Sequence, residues 1–326
     1  MALLERFRTR TGERVDTLVA AVDGPLFDEA LLARLRRLSV VSRKTLAQGL
    51  AGEHRSRRRG ASPEFADFKS YSPGDDFRQI DWNLYARLDS LFVRLSEVTT
   101  ELPVHILLDA SSSMDWRGDD RTPAKFRMAR QLAGAIGYVS LYHFDRVMIS
   151  PFGATLGQPF GPVQGRSRLS PMLGFLTDCP ILGETDISAI LATYLHSHRN
   201  PGLLLLVSDL LSGEPEELAA SFRDYRARGW QIAVLHIVDD AELEPGPLFD
   251  DGRTGPVDLL DVELGDRLVI TPTVAVLDRY REAVGTWLAA IEAACEAERI
   301  DYVRLSTAMP VDQVVLTLLH ERGLIE

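Results

Sequence analysis

The sequence is poor in cysteine and lysine, and it has no long apolar run. Its 326 residues include only Cys179 and Cys295, too few for a disulfide framework or a thiolate metal site. We therefore expect a reducing compartment, and specifically a cytoplasmic protein. Because no stretch of about 18 apolar residues occurs and the first residues lack a signal-peptide core, we expect no membrane insertion.

Charge is acidic overall but unevenly distributed along the chain. The formal net charge of −11 argues against bulk attraction to nucleic acid, so we expect no nucleic-acid partner. Residues 34–59 nevertheless carry nine basic residues against one acid, whereas residues 239–266 carry ten acids. No aromatic residues interleave the basic run at 55–59, so it is not a base-stacking surface. A solvated loop is the simpler interpretation of this run, and an acidic partner or nucleic acid is the alternative.

Alternating strand and helix patterns after residue 103 predict an α/β fold. Short apolar runs typical of buried strands alternate with amphipathic helical patterns. The predicted strands lie at 104–108, 146–149, 203–207, 230–238, 257–262, 267–271 and 302–305, and the predicted helices at 123–142, 168–177, 186–196, 214–228 and 274–298. This alternation favours a doubly wound, mostly parallel sheet with helices on both faces.

The first 100 residues have a different pattern. An amphipathic helix is predicted at 28–50, a turn at residues 72–76, and two short strands near 79–86 and 91–98. We therefore predict three segments. Residues 1–100 form a small α+β accessory region, residues 101–240 form a domain with a metal site, and residues 241–326 continue the α/β domain.

Polar side chains follow two of the predicted buried strands. Asp109, Ser111 and Ser113 follow the first strand, Asp209 follows the strand at 203–207, and Thr185 precedes a predicted helix. Because ligands bind at the carboxyl ends of strands in open α/β sheets, we expect these side chains to converge. An all-oxygen set of low charge suits Mg²⁺ or Mn²⁺, and the lack of histidine and thiolate argues against zinc. Each piece alone is also typical of a turn or a helix cap.

These five residues resemble the metal-ion-dependent adhesion site of von Willebrand factor A domains. The resemblance extends over residues 102–240 and includes a second-strand segment at 145–149. It implies that Ser111, Ser113 and Thr185 bind the metal directly or through water, with Asp109 and Asp209 close by. It also implies that a protein partner supplies a carboxylate to the free coordination position. The implied activity is binding, so we expect no enzyme.

Residues 60–82 resemble the signature of the bacterial "domain of unknown function 58" family. The matching residues are Glu64-Phe65, Pro73-Gly74-Asp75-Asp76, Ile80-Asp81-Trp82 and, further on, Ala86-Arg87. This resemblance implies a partnership with a MoxR-type AAA+ ATPase in the assembly or activation of other proteins. Many members carry two membrane-spanning helices, which we do not expect here. For the segment that contains the turn at residues 73–76, two roles stay open: a structural one, in which Asp81 and Trp82 dock the accessory sheet onto the main domain, and a second contact surface.

A Mg²⁺-dependent phosphohydrolase of the haloacid-dehalogenase type is the alternative. That class also places an aspartate at the end of its first strand and binds Mg²⁺. It needs a second aspartate where Ser111 stands and a later lysine, and no lysine follows Lys125. A serine hydrolase is less compatible, because the sequence has no Gly-x-Ser-x-Gly elbow.

Overall fold

The computed structural model describes residues 7–9, 33, 35, 65–72, 77, 80–96, 102–117, 124–249, 256–261 and 266–315. The basic run at 55–59, the turn at 73–76 and nearly all of the helix predicted at 28–50 lie outside these residues. By its contacts the chain divides into two compact units. One comprises Ala47–Glu101, and the other comprises Met1–Leu46 together with Leu102–Glu326. The three-segment division made from the sequence stays a prediction.

Strands and helices alternate along most of the described chain. The strands are β1 (Phe7–Thr9), β2 (Phe65–Ser70), β3 (Phe92–Ser96), β4 (Pro103–Asp109), β5 (Arg146–Phe152), β6 (Phe160–Gln164), β7 (Leu203–Ser208), β8 (Gln231–Val238), β9 (Val257–Asp261), β10 (Arg267–Ile270) and β11 (Asp301–Ser306). The helices are α1 (Trp82–Leu88), α2 (Lys125–Tyr142), α3 (Leu169–Asp178), α4 (Ile187–Ser197), α5 (Pro215–Ala227), α6 (Asp240–Leu243), α7 (Val274–Ala297) and α8 (Val311–Gln313).

The main sheet has six strands in the order β11-β8-β7-β4-β5-β6. All neighbours are parallel except β5 and β6. From the central strand β4 the chain proceeds to one edge and then returns to build the other side from β7. The strand order therefore reverses between β4 and β7, which is the topological switch point where open α/β sheets bind ligands.

Two apolar clusters cover the two faces of this sheet. One contains the buried side chains of α2 and α3, and the other contains those of α4, α5 and α7. Strand β7 explains the pattern, since all six of its residues are buried and alternate ones enter opposite clusters. The predicted doubly wound, mostly parallel fold with helices on both faces is confirmed.

The predicted strand near 79–86 is wrong, because helix α1 begins there. The Asp81 carboxylate accepts hydrogen bonds from the backbone N–H groups of Asn83 (2.9 Å) and Leu84 (3.1 Å), which caps the helix. The strand predicted at 91–98 is present as β3, and it pairs with β2, which the sequence did not predict. Strands β9 and β10 join β1 in a separate three-stranded sheet. In the part of the chain that is described, none of the helices combines the length and apolar composition needed to cross a bilayer.

A half-buried histidine in β4 makes the stability of the fold dependent on pH. The Nδ1 atom of His105 lies 2.7 Å from Tyr194 Oη, and its ring packs edge-on against Trp230. Burial, together with the nearby His198, lowers the pKa of His105 from 6.5 to about 4. This pKa lies below the value of 6.5 in the unfolded chain. The stabilising contribution of neutral His105 to the free energy of unfolding is therefore complete above pH 6.5 and is lost as the pH falls towards 4.

We expect the free energy of unfolding to report this histidine directly. Between pH 7 and pH 4.5 the wild type should lose roughly 2 kcal/mol more than the His105→Gln variant, as measured by urea unfolding. The matched control is His196→Gln, since His196 is exposed on α4; this variant should follow the wild type. Equal pH dependence in wild type and His105→Gln would contradict the assignment.

Candidate metal site at the switch point

The Asp109 carboxylate ends β4 and is held from two sides. It is fully buried. Its Oδ1 accepts a hydrogen bond from the backbone N–H of Ser111 at 2.9 Å, and its Oδ2 accepts one from Ser208 Oγ at 2.5 Å. Because Ser208 ends β7, these contacts fix the carboxylate between the two strands that flank the switch point.

The loop after β4 turns two serine hydroxyls towards each other. A short 3₁₀ helix, Ser112–Asp115, follows Ser111, and the Oγ atoms of Ser111 and Ser113 are 3.0 Å apart. Both residues are buried. The backbone N–H of Ser112 donates to the carbonyl of Gly183 at 2.7 Å, which joins this loop to the segment that precedes α4.

Asp209 reaches the same place from β7. The hydroxyl of Ser113 is hydrogen-bonded to its carboxylate. Its Oδ1 accepts from the backbone N–H of Leu211 at 3.3 Å, after a turn in which Leu210 has φ 55°. The structure thus brings four predicted site residues together: Asp109, Ser111, Ser113 and Asp209. All four are nearly inaccessible to solvent, with exposures of 0–1 %.

Thr185 lies on the adjacent segment and is half-buried. Its hydroxyl donates to the carbonyl oxygen of Gly153, just after β5, at 3.4 Å. The next residue, Asp186, caps α4 by accepting from the backbone N–H of Ala189 at 3.0 Å. The capping function therefore belongs to Asp186, and the hydroxyl of Thr185 is not the cap.

Sequence reasoning missed Lys125 and Glu242. Lys125 begins α2 and is fully buried. Its Nζ donates to Asp209 Oδ2 at 2.8 Å and to Glu242 Oε1. Glu242 lies in α6, where its other oxygen accepts from the backbone N–H of Asp239 at 3.0 Å in a capping box. The Asp-x-x-Glu spacing after a buried strand was the available sequence signal for Glu242, and the rarity of lysine was the signal for Lys125.

The pKa values of these groups follow from burial and mutual charge. Burial, reinforced by the charge of Asp209, raises the pKa of Asp109 to about 6. Burial alone would also raise the pKa of Asp209, but the Lys125 ammonium outweighs it and holds this pKa below its usual value. Burial alone would lower the pKa of Lys125, but the negative charges of Asp209 and Glu242 outweigh burial and raise this pKa above its usual value. Asp209 and Lys125 are therefore a charged pair.

The donor chemistry fits a hard divalent cation. Burial raises the pKa of Glu242, although the Lys125 ammonium opposes this. With Asp109 and Glu242 both ionised, the three carboxylates Asp109, Asp209 and Glu242 outnumber the single ammonium by two charges, which one divalent ion would balance. Within the described residues no three His, Cys, Asp or Glu side chains form a metal cluster. A metal at this position would therefore depend on the hydroxyl oxygens of Ser111, Ser113 and Thr185, which suits Mg²⁺ or Mn²⁺ and not zinc.

Comparison with known proteins identifies the family. The family profile described as "Protein of unknown function DUF58" matches residues 67–286. The chain belongs to this family. The resemblance to this family that the sequence analysis found is confirmed.

Relatives of this DUF58 protein occur in mycobacteria. Uncharacterized proteins of Mycobacterium tuberculosis and Mycobacterium bovis are 26 % identical to it over 247 residues, which cover 74 % of this chain and 74 % of each relative.

Two solved structures are similar at a low level. The SpRpn10 VWA domain has a TM-score of 0.37 at 10 % identity, covering 67 % of this chain and 94 % of that one. Manganese-loaded TRAP protein of Plasmodium vivax has a TM-score of 0.30 at 16 % identity, covering 41 % of this chain and 56 % of that one. The present chain thus spans little more than half of the TRAP chain. Similarity at this level bears on neither metal nor partner.

Proposed function

We propose that this DUF58 protein is a non-enzymatic, metal-dependent protein-interaction module. It would act as an adaptor of a MoxR-type AAA+ ATPase in the assembly or activation of other proteins. One observation supports this most: the Asp109 carboxylate, the Ser111 and Ser113 hydroxyls and the Asp209 carboxylate lie together at the switch point between β4 and β7.

Asp109, Ser111, Ser113, Thr185 and Asp209 are the residues that would hold Mg²⁺ or Mn²⁺. When bound, the ion would supply a cationic centre for a carboxylate of the partner protein. Serine and threonine hydroxyls are neutral donors, so they leave more of the ion's charge uncompensated than carboxylates would. Ser208 and the backbone N–H of Ser111 orient the Asp109 carboxylate. The Lys125 ammonium neutralises the charge of Asp209. More of the ion's positive charge is therefore left to attract the partner's carboxylate.

Binding to a MoxR-type AAA+ ATPase encoded in the same genome tests the proposal. We expect complex formation with Mg²⁺ present and at least roughly tenfold weaker binding in EDTA, measured by biolayer interferometry. Ser113→Ala should weaken the complex similarly, because it removes one metal-directed hydroxyl. Ser112→Ala is the matched control from the same loop and should bind normally. Binding that is insensitive to both EDTA and Ser113→Ala would rule out a metal-dependent contact.

A Mg²⁺-dependent phosphohydrolase is the second candidate, and the position of Lys125 favours it. Dehalogenase-type phosphatases need a lysine at the site, and Lys125 supplies an ammonium beside Asp209. Ser111 still stands where that class has its second aspartate. Hydrolysis of p-nitrophenyl phosphate that requires Mg²⁺ and is lost in Asp109→Asn would support the enzyme over the adaptor.

A further inference from the structure

Lys125 places a permanent positive charge beside the candidate metal residues. We infer that Lys125 is a built-in counter-ion that lowers the affinity of the site for divalent cations, and that Glu242 opposes it. This inference rests on the proposed metal site. It adds two residues, Lys125 and Glu242, that would set the affinity without themselves binding the ion.

The burial of Lys125 keeps its ammonium in place. The side chain is 0 % exposed, and its Nζ is bonded to both Asp209 and Glu242. The Trp116 ring centroid lies 5.9 Å from the same nitrogen. Moving the ammonium away would leave the buried Asp209 carboxylate without its counter-charge, which is strongly unfavourable. A cation that approaches Asp209 is therefore repelled by the Lys125 ammonium, which is held in place.

Glu242 contacts the same ammonium and has the opposite effect on the approaching cation. Its side chain is 23 % exposed. The capping box of α6 fixes its carboxylate, and Tyr280 Oη donates to its backbone carbonyl at 2.8 Å. Because Glu242 shares the ammonium with Asp209, it reduces the positive charge that an incoming cation would meet. If Glu242 lost its charge, only Asp209 would compensate the Lys125 ammonium, and an incoming cation would meet more positive charge.

Opposite effects of two variants on Mn²⁺ affinity test this arrangement. At an effective dielectric constant of about 20, one unit charge this close changes a binding constant by roughly tenfold or more. We expect Lys125→Met to bind Mn²⁺ at least roughly tenfold more tightly than wild type, and Glu242→Gln roughly threefold or more weakly. Arg127→Met is the control, because it removes a positive charge from the same helix at a position that faces away from Lys125. It should stay within about twofold of wild type.

Electron paramagnetic resonance of Mn²⁺ titrated into each folded variant gives these affinities. If Lys125→Met does not fold, Glu242→Gln decides: weaker binding supports the inference, and unchanged or tighter binding overturns it. If wild type binds Mn²⁺ and Lys125→Met does not bind it more tightly, the inference fails while the proposed metal site stands. Binding by Lys125→Met alone would support the inference and contradict the metal-dependent function of the wild type. No binding by any variant would overturn both.

Discussion

Replacing Asp109 with asparagine should weaken Mn²⁺ binding by roughly a hundredfold or more. Asparagine has nearly the same shape. Its amide oxygen can accept the hydrogen bond from the backbone N–H of Ser111, and its NH2 group can donate to Ser208 Oγ, which donates to the carboxylate in the wild type. What it lacks is the negative charge that a hard cation requires at the centre of the site. Because the wild-type carboxylate is fully buried beside Asp209, its neutralisation relieves a repulsion. The free energy of unfolding should therefore not fall by more than about 1 kcal/mol.

Asp115→Asn is the matched control for this result. Asp115 lies at the end of the same loop, but its side chain is exposed. Mn²⁺ titration followed by electron paramagnetic resonance should give the same affinity for Asp115→Asn as for wild type. If Asp109→Asn and Asp115→Asn bind equally, Asp109 does not hold the ion.

Replacing Gly202 with alanine should destabilise the sheet at the point where β4 and β7 begin side by side. A Cβ atom on Gly202 would overlap the backbone carbonyl oxygen of Pro103 and contact the Pro103 ring. Backbone cannot move aside as a flexible side chain can, so strand pairing would be strained. We expect the free energy of unfolding to fall by roughly 2–4 kcal/mol, measured by urea denaturation.

Gly285→Ala provides the control for Gly202→Ala. Gly285 lies within α7, and a Cβ there would meet nothing within 4 Å. Alanine should therefore stabilise the protein by about 0.5–1 kcal/mol through its higher helix propensity. A Gly202→Ala protein as stable as wild type would contradict the close approach of β4 and β7, and with it the arrangement that positions Asp109 beside Ser208.

The strands of the main sheet were predictable where a continuous apolar run is enough to identify a buried strand. The run 203–207 is apolar throughout because β7 is covered on both faces, and no polar alternation was needed to recognise it. The helix at Trp82–Leu88 was not predicted, because its start depends on the Asp81 cap and not on apolar spacing. Strand β6 was missed for a related reason: it lies at the edge of the sheet and none of its residues is buried.

The candidate site was predictable only in part. Asp109, Ser111, Ser113 and Asp209 follow strands, so the rule that ligands bind at strand ends located them. Lys125 and Glu242 escaped because their partners are distant in sequence: 84 residues separate Lys125 from Asp209, and 117 separate it from Glu242. No local pattern encodes such a pair. Only the folded chain brings the Lys125 ammonium, at the start of α2, to both the Asp209 carboxylate and Glu242 of the short α6.

The most direct test is the stoichiometry and affinity of Mn²⁺ binding by the purified wild-type protein at neutral pH. Electron paramagnetic resonance should detect one bound ion per chain that excess Mg²⁺ displaces, and binding should be roughly a hundredfold or more weaker in Asp109→Asn. A wild-type protein that binds no Mn²⁺, or binds it equally well after Asp109→Asn, would contradict a metal-dependent interaction module built on Asp109, Ser111, Ser113, Thr185 and Asp209.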